Sequence, residues 1–147
     1  MSHTYARIHI HVIFSTKERK NLIPQKTQPE LWSYMAGICR NHALAAIAIN
    51  GTGNHTHALF HLPRSMTLSK AVNLLKANSS RWMNEHGRDF AWQDGYGAFS
   101  VSESNTEAVV KYIRDQEKHH RKVSFEEEYL KFLKKHGIEF DPKHVFG

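Results

Sequence analysis

Cysteine is nearly absent: Cys39 is the single one among 147 residues. No internal disulfide is possible, which fits a reducing compartment. Long apolar runs are missing too. None approaches the roughly 20 residues that span a bilayer. The opening Met1-Ser2-His3-Thr4 lacks the basic and apolar regions of a secretory signal. These absences give a cytoplasmic reading. Internal repeats, low-complexity segments and linkers are also lacking, so residues 1–147 read as one domain, long enough to bury a core without staples. Acidic side chains are the scarcer charge, 14 against 20 Lys plus Arg, for a net charge of +6. With a pI near 9.5, the chain suits a polyanionic partner, nucleic acid first.

Histidine is abundant, at twelve, and some of it clusters: His9 with His11, then His55, His57 and His61, then His119 with His120. Each cluster has to be placed on an element. Residues 5–14 alternate, with Ile8, Ile10, Val12 and Phe14 on one face and Arg7, His9 and His11 on the other, as in a half-buried strand. Residues 15–27 form a basic loop. Leu31, Met35, Ile38 and His42 recur at helical spacing over Gln28–Asn41, with Pro29 suited to the first turn. Residues 45–50 and 55–62 read as a hairpin around the turn 51–54. Leu68, Val72, Leu75, Ser79 and Trp82 mark a helix over 67–85, capped by Thr67 or Ser65 and closed by His86-Gly87.

An aromatic loop over 89–97 leads to a fourth strand, 98–102. A helix follows over 106–121, and a last one over 123–135, ended by Gly137. The order is β-α-β-β-α-β followed by two helices. That is a ferredoxin-like α+β fold: a four-stranded antiparallel sheet with both crossover helices on one face and a C-terminal helical extension. The second face is left for the extra helices or a ligand.

Within that frame, His55 and His57 share a face of the third strand. Thr56, Ala58, Phe60 and Leu62 take the opposite, apolar face. Two imidazoles so placed suit one metal ion, completed by a side chain from elsewhere; an ordinary histidine-bearing strand is the alternative. Tyr112 and Gln116 are four apart on a helix and share its side, with His120 continuing it. Tyr112 is either a core tyrosine with a partner at the rim or a nucleophile. At a pKa near 10 it needs a nearby cation or base to attack at neutral pH.

His55-Thr56-His57, together with the run from Lys111-Tyr112-Ile113-Arg114-Asp115-Gln116 to Lys122, resembles the single-tyrosine HUH transposases. These comprise the insertion-sequence 200-like transposases and the REP-associated tyrosine transposases. The stretch from Trp92 to Ser102 and the tail Ser124-Phe125-Glu126-Glu127-Glu128 resemble the same family, in order, over nearly the whole chain. The resemblance implies a DNA transposase and single-strand endonuclease acting on hairpin-containing single-stranded DNA. His55 and His57 would be the metal-binding histidines and Gln116 the third ligand, for magnesium or manganese. Tyr112 would attack a phosphate, keep the 5′ side as a phosphotyrosine and release a 3′ hydroxyl. It also implies a homodimer, in which the tyrosine helix of one subunit can complete the site of the other.

One departure is Thr56 at the middle HUH position, normally bulky and apolar; its hydroxyl needs a partner. Candidate phosphate contacts are Lys17, Arg19, Lys20, Lys70, Lys76 and Arg81. Trp92 and Tyr96 either stack on bases or pin their loop. Competing functions are a domesticated relative that cuts repeated palindromes, a non-catalytic nucleic-acid-binding module of the same fold, and a metal-dependent hydrolase using water. The first strand lacks the aromatic pair that RNA-binding modules of this fold use.

Overall fold

The structure is a computed structural model and describes residues 3–147. Four strands, β1 (His9–Ser15), β2 (Ala45–Gly51), β3 (His55–His61) and β4 (Gly97–Val101), form one antiparallel sheet in the order β2-β3-β1-β4. The helices are α1 (Gln28–Asn41), α2 (Leu68–Glu85), α3 (Thr106–Arg114), α4 (Gln116–His119) and α5 (Phe125–Lys135). The ferredoxin-like α+β reading holds, and β1 lies beside β3 as that topology requires.

Strand alternation sorts the side chains into two layers. Val12, Phe14, Ala58 and Phe60 point to one face and pack with Leu31, Met35, Ile38, Val72, Leu75 and Met83 from α1 and α2. Each fully buried Leu or Phe there contributes about 1.5–3 kcal/mol. Thr67 caps α2 by accepting the Lys70 N–H at 3.2 Å, and Gly87, at φ 78°, turns the chain out of it. Trp92 is buried against Phe14 and Phe90, and its Nε1 donates to Ser79 at 2.9 Å. It therefore pins the aromatic loop to the body.

The extra helices cover the second face. Ile13 and Phe99 pack there with Phe125, Leu133, Tyr129 and Phe132. Ser124 caps α5 by accepting the Glu127 N–H at 3.1 Å. Most boundaries agree with the sequence reading within one or two residues; two features differ by more. The first strand begins at His9 rather than residue 5, with Tyr5 and Ile8 exposed. The expected helix over 106–121 is broken at Asp115. Asn50 causes the break: its amide donates to the carbonyls of Ile113 and Arg114 at 2.9 and 3.1 Å. A continuous helix would have given those acceptors to the N–H groups of Glu117 and Lys118.

Candidate active site

His55 and His57 sit on the inner face of β3, and both are fully buried. The tight end of the β2–β3 hairpin fixes the first of them. A side chain at Gly51 would collide with the His55 carbonyl oxygen, so the strands approach closely only because this residue is glycine. Thr56, pointing the other way, donates to the Asn50 carbonyl at 3.2 Å. Its hydroxyl is thus satisfied, and the polar middle position leaves the histidine pair intact.

The side chains that face the Nε2 atoms of both histidines come from the segment after β4. Gln116 Oε1 lies 3.0 Å from His55 Nε2. Glu128, from the first turn of α5, is buried and brings its Oε1 to 3.0 Å from His57 Nε2, 3.1 Å from His120 Nε2 and 3.6 Å from His55 Nε2. Its Oε2 accepts the Tyr112 hydroxyl and lies 3.3 Å from Gln116 Nε2. His119 Nε2 is 3.2 Å from the same hydroxyl. Behind His57, its Nδ1 pairs with His11 Nε2 at 2.8 Å, which fixes the ring from the second nitrogen.

The electrostatics follow from dry surroundings. Burial, and then the neighbouring His57, push the His55 imidazole down to about 3. The same two causes hold His11 well below its ordinary range. Burial alone would raise Glu128, but hydrogen bonds from His120 and His57 outweigh it and hold the carboxyl well below the usual carboxylate range. Tyr112 is pushed far up, by burial first and then by its bond to the Glu128 carboxylate. In this state the hydroxyl keeps its proton, aimed at an acceptor.

These shifts share one sign for stability. Folded His11 and His55 bind fewer protons than their unfolded counterparts, which titrate near 6.5. The folded Glu128 carboxylate likewise resists the proton that the unfolded one accepts. The metal-free protein should therefore lose stability as pH falls below about 6.5 and continue losing it through the carboxylate range. Urea unfolding at pH 7.5, 5.5 and 4.5 measures this; a flat profile would contradict the lowered His11 and His55 imidazoles.

A metal fits this donor set. One ligand atom each from His55, His57, His120 and Glu128 lies within 4.8 Å of the others, and the Gln116 amide oxygen borders the same point. Three imidazoles, an amide and a carboxylate suit a divalent transition ion.

The structure brings His55, His57, Tyr112 and Gln116 together; the sequence reading missed Glu128 and left His120 without a role. Glu128 was hidden in a run of three glutamates that reads as helix-end charge. The available signal was its position: Phe125, Glu128 and Phe132 fall on one helical stripe, so a carboxylate stands where an apolar residue is expected.

The candidate phosphate contacts do not gather around Tyr112. Lys17, Arg19 and Lys20 leave β1 just after Ser15, which pairs with His55, so they flank that end of the sheet. Arg19 donates to the Phe146 carbonyl at 3.0 Å, and Lys20 pairs with Glu18 at 3.0 Å. Lys70, Lys76 and Arg81 lie on α2, across the sheet from the histidines. Lys76 binds the Gln93 and Gly95 carbonyls at 2.7 and 2.9 Å, and Arg81 faces Glu85.

Residues 4–116 match the family described as IS200-like transposases. The protein belongs to the IS200-like transposase family. The match ends at Gln116, so His120 and Glu128 lie beyond it. The transposase for insertion sequence element IS200 of Salmonella typhimurium strain LT2 is 24% identical over 125 residues, covering 79% of this chain and 81% of its own length. The Salmonella typhi counterpart matches to the same extent. Among solved structures, a candidate transposase from Deinococcus radiodurans R1 superposes with a TM-score of 0.64 at 20% identity, over 79% of this chain and 95% of that one. A REP-associated tyrosine transposase bound to a REP hairpin gives 0.61 at 15% identity, over 82% and 73%. Among the described residues, no helix is long and apolar enough to cross a membrane.

Proposed function

We propose that this IS200-like transposase cleaves and rejoins hairpin-containing single-stranded DNA through a 5′-phosphotyrosine on Tyr112, and that residues 1–147 act as one transposase domain. One carboxylate carries the reading. Glu128 presents one oxygen to the histidine nitrogens and the other to the Tyr112 hydroxyl, so the nucleophile and the ion-binding cluster share a residue.

A divalent ion, magnesium or manganese, would be held by His55, His57 and Gln116 with His120 and Glu128, and when bound would stabilise charge developing on the scissile phosphate. The chain's own groups do the rest. Tyr112 Oη forms a bond to phosphorus as the bond from phosphorus to the 3′ oxygen breaks. The phenolic proton passes to His119 Nε2, already hydrogen-bonded to the hydroxyl, while Glu128 Oε2 orients that hydroxyl; the departing 3′ oxygen takes up a proton from water and leaves as a hydroxyl. His11 and Gln116 keep His57 and His55 from rotating. Attack by a 3′ hydroxyl reverses the step and rejoins DNA without ATP. Lys17, Arg19 and Lys20, which flank the histidine end of the sheet, would hold DNA phosphates, and Lys70 and Arg81 on the far face would reach only longer substrates. Lys76 would act through the loop it fastens.

The binding of a REP hairpin by the structural neighbour supports hairpin DNA as the substrate class. The test is a pool of single-stranded hairpins with randomised flanks, incubated with manganese. A denaturant-resistant protein–DNA adduct should form, map to Tyr112 by mass spectrometry, and disappear with chelator. Free ends without any adduct would favour attack by water and overturn the tyrosine mechanism.

A further inference from the structure

A groove of about 570 Å³ runs beside Tyr112, between α3 and α5, floored by β4. The chemistry above uses only its inner end, where Tyr112, His119 and Glu128 lie. Its volume falls within the roughly 300–1,000 Å³ that hold a ligand of nucleotide size. Aromatic rings line it as a ladder. Phe99 lies 4.5 Å from His136 and 5.3 Å from Phe132, and Phe132 lies 5.7 Å from Tyr112, between ring centroids. Phe132 on α5 and His136, which caps that helix's C-terminus, are nearly parallel, at 10°. Lys131 and Lys135 are exposed at the rim, and the α3 wall carries the small residue Ala108. Glu128, at the Tyr112 end, is the one carboxylate lining it.

We propose that this groove is the subsite for a single unpaired nucleotide bordering the cut. The inference rests on Tyr112 being the nucleophile. The base stacks on the Phe132 and His136 rings, while its phosphate meets Lys131 and Lys135. Flat aromatic surface beside paired cations is what a nucleotide recognises, since every base has a π-face and every linkage a charge. An uncharged apolar ligand would leave both ammonium groups unanswered. The subsite acts on positioning: holding the neighbouring base fixes the scissile phosphate against the Tyr112 hydroxyl.

The experiment uses the full chain and hairpin DNA carrying 2-aminopurine at each unpaired position in turn. On Tyr112→Phe, which needs no cleavage, fluorescence of one position should be quenched on binding. Adding Ala108→Trp, which fills the groove from its exposed wall, should remove that quench. In the cleaving protein, an abasic site at the same position should lower kcat/KM on the order of tenfold, and the abasic change should cost Ala108→Trp nothing further. Lys131→Ala with Lys135→Ala should raise KM and flatten its salt dependence, which keeps the test alive if the tryptophan disturbs folding. Uniform fluorescence at all positions, or abasic and groove-filling losses that simply multiply, would overturn the subsite. Absent cleavage with a position-specific quench would instead sink the tyrosine mechanism and leave the groove standing.

Discussion

Tyr112→Phe is expected to lower single-stranded DNA cleavage by at least about a thousandfold, with no covalent adduct, while DNA affinity stays within about twofold. The ring supplies packing: it touches Phe132, His57 and His119 edge to face, and phenylalanine keeps all of that. Removing the hydroxyl does not orphan the Glu128 oxygen that accepted it. Gln116 Nε2 and His119 Nε2 remain 3.3 and 3.5 Å away, so stability should move by no more than about 1 kcal/mol. The two readouts separate chemistry from folding. Near-normal cleavage by a variant that melts normally would remove Tyr112 from the mechanism. Loss of binding along with cleavage would make the hydroxyl a DNA contact instead of the nucleophile.

The sheet and its histidine face were legible because strand alternation is a two-residue code. Ile10, Val12 and Phe14 on β1, and Ala58 and Phe60 on β3, leave one face for the helices and put His11 and His57 on the other. The crossover helices were equally plain from apolar spacing and caps. The break at Asp115 was not, because its cause is tertiary: an asparagine on β2, more than sixty residues away, takes two helix carbonyls. Periodicity reports a helix's own preferences and carries no record of a distant amide. Glu128 was hidden for a related reason. Local reading credits an acidic first turn with stabilising the helix dipole, and Glu126 and Glu127 fit that role. Only the fold shows that the third glutamate points inward, at imidazoles from a different strand. The groove beside Tyr112 joins α3, α5 and β4, three segments with no local pattern in common.

His57→Ala should abolish manganese binding and adduct formation together, because His57 ties the cluster from both ring nitrogens: to His11 at 2.8 Å and to Glu128 at 3.0 Å. Its loss leaves a buried carboxylate and a second buried imidazole short of a partner, and should destabilise the fold by about 2–4 kcal/mol. A melt must accompany the assay. The sharper experiment mixes this variant with Tyr112→Phe. The family resemblance led to the expectation of a homodimer with the tyrosine helix of one subunit completing the other's site. Within this chain the helix instead meets its own sheet: Gln116 reaches His55, Glu128 reaches His57, and Asn50 holds the end of α3. With both halves of the site on one chain, each variant in a mixture keeps its own defect, so cleavage should stay absent after subunit exchange. If the adduct returns, on the chain that retains Tyr112, then the helices change places between copies. The contacts described here within one chain would form between two, and the active unit would be a dimer with one intact and one doubly broken site.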